Sequence, residues 1–230
     1  MKKDMTVIYY SSNREKPEFA EEVRRRLLES IGDLPLISVT QKPIDFGLNI
    51  CIGNVGISNI NVYRQIQLGT MAAKTSFVAM AETDCLYPRE HFEFRPPKMD
   101  MVFRNANLWI LYLKHRKFRQ KQYSLCNQIA GRDFLLDALS KCLKNRPMWS
   151  DKMERWDSPD NRPPHIFAKR AWSNFETEIP CINVMHNDGM HRSTGTFGKM
   201  LKELPYWGKS NELLNDLYLD PWPKPLKGEN

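Results

Sequence analysis

The sequence predicts an α/β domain built on a mostly parallel β-sheet with helices on both faces. Strand-like and helical patterns alternate through the first 81 residues, which favours strand–helix–strand units of a parallel sheet. The run Phe77–Ala81 is apolar without alternation, as expected of a strand that is buried on both faces. With 230 residues, 41% of them hydrophobic, the chain can bury a sizeable core.

The first strand and helix are defined by a change of hydrophobic period. Met5–Tyr10 is predicted to be a strand, and Pro17 suits the first turn of the helix that follows. Apolar residues then recur every fourth position, at Phe19, Val23, Leu27 and Ile31. Gly32 is predicted to end the helix, and Leu36–Thr40 is predicted to be the second strand.

A second helix leads into the buried strand. Residues 43–56 contain one proline and three glycines and are predicted to be a loop, after which Ser58 can cap a helix. One face of this helix carries Val62, Ile66, Gly69 and Ala73. Phe77–Ala81 then completes a strand–helix–strand–helix–strand order.

The second half has a mixed pattern. Met101–Arg104 and Leu108–Leu113 are predicted strands, and Cys181–Met185 is predicted to be the final one. A helix is predicted from the face formed by Leu135, Ala138, Leu139 and Cys142. The polar, proline-containing stretch 146–164 is predicted to be a long loop, and such loops are often lids or binding elements.

Composition excludes several classes of protein. The five cysteines are odd in number and widely spaced, which argues against a disulfide framework and a CxxC metal clip and favours a reducing cytoplasm. No apolar run is long enough for a membrane span. The net charge of +7 is moderate, and it is compatible with an anionic partner.

An acidic turn follows the buried strand directly. Glu82 and Asp84 lie where ligands bind in open α/β sheets, outside the carboxyl end of a strand. Carboxylate oxygens suit Mg²⁺ and Mn²⁺, which also bind phosphate oxygens. A solvated turn in which Asp84 caps a short helix is an equally good interpretation of the spacing alone.

A histidine at the end of a late strand favours the metal interpretation. His186 follows Cys181–Met185 directly and can supply one nitrogen ligand. His191, five residues later, is more typical of a hydrogen-bonded loop residue. The spacing of the two does not match the HExxH pattern of zinc proteases.

These residues carry a resemblance to a known family. The run NVYRQIQLGTMAAKTSFVAMAETDCLYPREHF (61–92) resembles the core of glycosyltransferases of the GT-A fold, with a helix bearing an arginine, a glycine turn, a buried strand and an acidic DxD-type motif. Together with ISVTQKPIDFG (37–47) and INVMH (182–186), it is similar to small phage-encoded enzymes that put sugars on hydroxymethylated pyrimidines in DNA. The resemblance covers about residues 5–192. Thr83 departs from it, since that group has a second acid there.

The resemblance implies a Rossmann-like GT-A fold in a single domain, 1–230. A nucleotide-sugar-binding half would span 1–100, a mixed acceptor half 101–205, and a C-terminal tail 206–230. The implied enzyme is a metal-dependent transferase that uses a UDP-sugar and Mn²⁺ or Mg²⁺ in the host cytoplasm. Its implied acceptor is 5-hydroxymethylcytosine in DNA.

The resemblance also assigns roles to individual residues. Asp84 would bind the divalent ion, with His186 completing the metal shell from the far strand. Glu82 would bind hydroxyls of the donor or act through water. The remaining donor contacts would come from Ser11, Ser12, Asn13, Gln41, Lys42 and Arg64.

The catalytic base is less well defined by the sequence. An inverting enzyme needs a carboxylate within reach of the attacking hydroxyl, and the candidates are Asp133, Asp157 and Glu154. Asp133 also has a simpler interpretation, as an acidic residue favoured at a helix N-terminus. Inverting and retaining reactions are both compatible with these residues.

A basic segment is the candidate acceptor surface. Lys114, Arg116, Lys117, Arg119 and Lys121 are unopposed by acids and account for five of the seven net charges. Phe118 and Tyr123 are interleaved, and such a segment can hold phosphates while an aromatic ring stacks on a base. A solvated basic face is an equally good interpretation. Two other functions stay open, namely a GT-A enzyme acting on a glycan, protein or small molecule, and a DNA-binding protein without enzymatic activity.

Overall fold

A computed structural model describes residues 4–122, 124–152, 172–186 and 196–219. Strands in order are β1 (Met5–Ser11), β2 (Leu36–Thr40), β3 (Leu48–Cys51), β4 (Phe77–Glu82), β5 (Cys85–Leu86), β6 (Val102–Asn105), β7 (Leu108–Tyr112), β8 (Lys117–Lys121), β9 (Gln128–Gly131), β10 (Trp172–Phe175), β11 (Cys181–Met185), β12 (Thr196–Leu201), β13 (Glu203–Leu204) and β14 (Gly208–Lys209). Helices are α1 (Pro17–Ile31), α2 (Asn59–Ala72), α3 (Arg89–Glu93), α4 (Arg132–Cys142) and α5 (Ser210–Asp216).

The larger of the two main sheets has seven strands in the order β10-β6-β9-β4-β1-β2-β3. Strands β3, β2, β1 and β4 are parallel, and β9 is inserted antiparallel between β4 and β6. Strand β1 is buried throughout. Val7 and Tyr9 belong to the core on one face of this sheet, and Ile8 and Tyr10 to the core on the other, because successive side chains alternate.

Helix α2 covers one face of this sheet together with α4. Ser58 caps α2 by accepting a hydrogen bond from the Asn61 backbone N–H at 3.1 Å, as predicted. Gly69 faces β1 so closely that a Cβ atom there would lie 2.5 Å from Cγ2 of Ile8. Glycine therefore permits the close approach of helix and sheet.

The second sheet has five strands in the order β12-β8-β7-β11-β5. One of its faces is apolar and packs against α1 and α5 through Phe118, Ile182, Val184 and their neighbours. Helix α1 connects the two sheets, because Phe19 and Val23 pack in this core whereas Leu27 and Ile31 pack against the seven-stranded sheet.

The structure confirms the predicted α/β class, with a large parallel-rich sheet flanked by helices. Four details were wrong. Strand β3 lies in the predicted loop 43–56, and β12–β14 and α5 follow the strand predicted to be the last. Residues 206–219 are not a tail, since Leu213, Leu214 and Leu217 of this segment are core residues. The predicted halves also interleave, because β6, β9 and β10 join the seven-stranded sheet.

Within the described residues, no helix combines the length and apolarity needed to cross a membrane.

Candidate functional site

A cavity of about 170 Å³ opens at the carboxyl ends of β1, β2 and β4. Parallel strands bring these ends to one edge of the sheet, which is where open α/β sheets bind ligands. The lining residues come from three loops and the start of α2; they are Tyr10, Ser11, Ser12, Glu15, Gln41, Gly56, Ile57, Ser58, Asn61, Val62, Gln65, Glu82, Thr83 and Asp84.

The acidic turn on the cavity wall is held by buried hydrogen bonds. The backbone N–H of Glu82 donates to the Tyr87 hydroxyl at 3.0 Å, and this hydroxyl donates to the Cys126 carbonyl at 3.1 Å. The backbone N–H of Val184 donates to the Asp84 carbonyl at 2.7 Å. These bonds join the backbone of the acidic turn to β11 and to the segment before β9.

Both carboxylates of the turn are poised to accept a cation. Burial raises the pKa of Glu82 well above its usual value, and the neighbouring charges of Cys126 and Asp84 raise it further. Burial likewise raises the pKa of Asp84, while His186 opposes that shift. A cation beside these oxygens would offset the cost of burying their charge, so the donor set fits a divalent ion.

The structure places the two predicted metal ligands within electrostatic reach of each other. His186 follows β11 directly, its ring packs against Phe19 with 4.8 Å between centroids, and its electrostatic influence reaches Asp84. The relative position of Asp84 and His186 depends on the pairing of β11 with β5, because β5 begins directly after Asp84 and His186 directly follows β11. His191 lies outside the described residues.

The loops after β1 and β2 form one wall of the cavity, but only part of the predicted donor set lines it. Ser11, Ser12 and Gln41 line the cavity. Asn13 instead accepts hydrogen bonds from the backbone N–H groups of Gln41 and Lys42, both at 2.9 Å. Asn13 therefore positions the β2 loop, and Lys42 is exposed beside it rather than in the lining.

Arg64 is not brought to the cavity. Its guanidinium donates to the carbonyls of Leu143, Arg146 and Pro147 and to the side chain of Gln67. It therefore joins α2 to the segment that follows α4. The predicted donor contact is replaced by this structural role, because Arg64 lies on the α4 side of the helix rather than on its cavity side.

Asp133 is also distant from the acidic turn. It is the second residue of α4, two residues after Gly131. Gly131 pairs with Phe77, the first residue of β4, whereas Glu82 is the last. The intervening strand is about 17 Å long at roughly 3.3 Å per residue. The Asp133 side chain is 89% exposed and paired with Arg132, which fits the simpler helix-terminus interpretation. Asp157 and Glu154 lie outside the described residues.

Several cavity residues escaped the sequence prediction. Gln65 is buried and donates to the carbonyls of Ser11 at 2.9 Å and Val39 at 2.8 Å, which holds the ends of β1 and β2 together. Asn61 donates to the Ser150 carbonyl at 2.7 Å and so ties a later loop to the cavity. The sequence does contain a signal for these two cavity residues, because both are polar positions within the apolar pattern of α2.

The basic segment forms the turn and the second strand, β8, of a hairpin with β7. Lys117, Arg119 and Lys121 alternate with Phe118, so the three cations share the face opposite the apolar core. Phe118 is fully buried, which corrects its predicted availability for stacking on a base. Tyr123 lies outside the described residues.

The cationic face of β8 lies on the same side of the five-stranded sheet as Cys85, the residue that follows the acidic turn. Arg119 of β8 pairs with Ile110 of β7, and Ile110 pairs with Asn183 of β11. Asn183 in turn pairs with Cys85 of β5. Because cross-strand partners share a face, all four side chains lie on the same side of the sheet. Lys121 lies near enough to Glu82 to lower its pKa. Lys114 and Arg116 lie in the turn that precedes the strand, with Lys114 exposed.

Fold and cavity define an α/β protein with an open, parallel-rich sheet and a ligand cavity at its carboxyl edge. No protein-family model matches the sequence, and no match was found among curated proteins. Among solved structures, S. aureus TarS 1-349 in complex with UDP-GlcNAc matches with a TM-score of 0.47 and 12% identity over 82% of this chain and 60% of that one.

Two further structures are similar. A glycosyltransferase involved in glycosylation of the major capsid of PBCV-1 has a TM-score of 0.45 and 8% identity, covering 81% of this chain and 94% of that one. The bifunctional IspDF from Campylobacter jejuni has a TM-score of 0.41 and 10% identity, covering 76% and 49%. At these scores the likeness is confined to the general arrangement of strands and helices. The chain spans about 60% of the TarS fragment it matches.

Proposed function

We propose that this protein is a metal-dependent glycosyltransferase that moves a sugar from a UDP-sugar to a hydroxyl acceptor. The observation that carries the proposal is the cavity at the carboxyl edge of the sheet, where Asp84 on its wall interacts with His186 from the second sheet. A cavity of about 170 Å³ is smaller than the roughly 300–1,000 Å³ of a typical ligand pocket. It suits the nucleoside end of the donor, with the sugar directed towards the acidic turn.

Different cavity residues bind different parts of the donor. Ser11 and Ser12 contact the nucleoside, and Gln65 holds their loop beside that of β2. Glu82 accepts hydrogen bonds from donor hydroxyls, while Asp84 and His186 hold the divalent ion. A divalent ion there would neutralise the charge that develops on the diphosphate as the glycosidic bond breaks, an effect of several kcal/mol, roughly.

Nucleotide binding is the first expected result. UDP with Mn²⁺ should raise the thermal unfolding midpoint, since a ligand at about 100 times its Kd adds roughly 2.7 kcal/mol of stability. For a chain of this length that corresponds to roughly 5–10 °C. Mn²⁺ alone and UDP alone are the controls. A midpoint unaffected by the combination would favour the DNA-binding protein without enzymatic activity.

The acceptor we propose is 5-hydroxymethylcytosine in DNA. The cationic face of β8 supports it, because it can hold phosphates on the same side of the five-stranded sheet as Cys85, the residue that follows the acidic turn. The Nε atom of Arg119 is buried and makes no hydrogen bond within the described chain. A target base in duplex DNA would be turned out of the stack to reach the cavity.

Sugar transfer to hydroxymethylated DNA is the second expected result. The protein is incubated with Mn²⁺, UDP-sugars and hydroxymethylated DNA, and the DNA is digested to nucleosides for mass spectrometry. A Lys117→Ala/Arg119→Ala variant should bind DNA less tightly and lower the salt slope by up to about 2, roughly one per lost phosphate contact. Its stabilisation by UDP and Mn²⁺ should persist.

The matched control is Arg89→Ala/Lys141→Ala, which removes two exposed cations from α3 and α4. It should keep the salt slope and the transfer activity of the parent. Absence of a sugar adduct on any nucleoside, without UDP release, would contradict a DNA acceptor. UDP release stimulated by glycans but not by DNA would instead favour the glycan-modifying alternative.

A further inference from the structure

A cluster of two thiols and a carboxylate lies beside the donor cavity. Cys85 of β5, Cys126 from the turn before β9 and Glu82 from the end of β4 place their ligand atoms within 4.8 Å of one another. Both cysteines are almost fully buried, at 2% and 1% exposure. The cluster therefore joins the β4–β5 turn to the turn before β9 at one buried point.

Asn183 orients the two sulfur atoms. Its Nδ2 donates to Sγ of Cys85 at 3.1 Å and to Sγ of Cys126 at 3.2 Å, so both sulfurs are directed to a common point. The Oδ1 atom of the same amide is buried without a hydrogen-bond partner in the described chain. An unpaired buried carbonyl oxygen is costly, and a bound hydrogen-bond donor such as water beside it would relieve the cost.

The chemistry of the cluster differs from that of the Asp84–His186 pair. Two sulfur ligands select soft or borderline metals such as Zn²⁺, whereas carboxylate oxygen favours Mg²⁺ and Mn²⁺. In a tetrahedral zinc site with Zn–S bonds near 2.3 Å, the two sulfurs lie about 3.8 Å apart. The observed limit of 4.8 Å is within about 1 Å of that arrangement, a difference that small side-chain rotations can cover.

We infer that Glu82, Cys85 and Cys126 form a Zn²⁺-binding site adjacent to the divalent-ion site of the proposed transferase, since Sγ of Cys85 donates to Oδ1 of Asp84 at 3.4 Å. The fourth ligand position is open to water. Because Glu82 also lines the donor cavity, Zn²⁺ bound at this site withdraws that carboxylate from the cavity.

Cobalt spectroscopy of the full-length reduced protein tests this site without relying on activity. Co²⁺ is expected to produce a near-ultraviolet thiolate-to-cobalt charge-transfer band that Zn²⁺ abolishes by displacement. Co²⁺ held by Asp84 and His186 alone lacks a sulfur ligand and gives no such band. Cys85→Ser and Cys126→Ser should each weaken the band, whereas Cys51→Ser, at an exposed cysteine, should leave it unchanged.

Thiol alkylation of the unmodified chain provides a measurement that does not depend on the folding of variants. In mild denaturant, Zn²⁺ should slow alkylation of Cys85 and Cys126 but not of Cys51 or Cys142, as read by peptide mass spectrometry. Absence of the charge-transfer band, or a band that survives both serine substitutions, would overturn the inference. Zn²⁺ that protects all of these cysteines equally, or none, would also overturn it.

Discussion

Asp84→Asn is expected to abolish sugar transfer while preserving the fold. The substitution keeps the size of the side chain and removes the carboxylate charge, so the divalent ion loses its oxygen ligand. Loss of an effect worth several kcal/mol corresponds to a fall in kcat/KM of roughly 100-fold or more. The fall in kcat/KM is measured as the rate of UDP release from the UDP-sugar in the presence of Mn²⁺ and the proposed acceptor.

The same Asp84→Asn substitution should not lower the free energy of unfolding, although it abolishes activity. Burial raises the pKa of Asp84, so the folded protein holds the ionised carboxylate at a cost near neutral pH. Removing that charge should leave the unfolding midpoint unchanged or raise it in the absence of metal.

The control for Asp84→Asn is Asp133→Asn, which alters an exposed carboxylate at the opposite end of β4. It should retain transfer within about twofold, consistent with a surface substitution of small effect. Full metal-dependent turnover in the Asp84 variant would exclude this residue from the reaction. A large loss in the Asp133 variant would restore that residue as a candidate base.

Gly131→Ala is expected to have the largest effect on stability. A Cβ atom at this position would lie 1.7 Å from the carbonyl oxygen of Met99 and 2.5 Å from its carbonyl carbon. Both are backbone atoms, so neither can move aside by side-chain rotation. Overpacking of this kind typically costs about 1–3 kcal/mol and occasionally more, and we expect the upper end, about 3 kcal/mol. Urea unfolding measures the change.

Gly53→Ala separates steric conflict from backbone strain. Gly53 has a φ of +78°, and nothing lies within 4 Å of a Cβ atom there, so its substitution costs only the strain of a left-handed alanine, roughly 1 kcal/mol. Gly131 has a φ of −60°, a conformation any residue adopts, so its cost is steric. Equal losses in the two variants would contradict the close contact with Met99.

Local patterns in the sequence were sufficient for the elements around the cavity. The four-residue apolar repeat and Gly32 predicted α1 correctly, and the unalternating run beginning at Phe77 predicted the buried strand β4. Glu82 and Asp84 were identifiable as cavity residues because they follow that strand, and parallel strands present their carboxyl ends at one edge. These inferences depend on neighbours in the chain, which a sequence displays.

Only the tertiary structure decided which distant residues meet. His186 approaches Asp84 because β11 pairs with β5, a partnership across about 100 residues that no local pattern encodes. The same pairing turns Asn183 towards Cys85 and Cys126, and it places the cationic face of β8 on the same side of the five-stranded sheet as Cys85. Arg64 and Asp133 were misplaced for the same reason, since helix packing and strand register, rather than residue type, determine which side of an element faces the cavity.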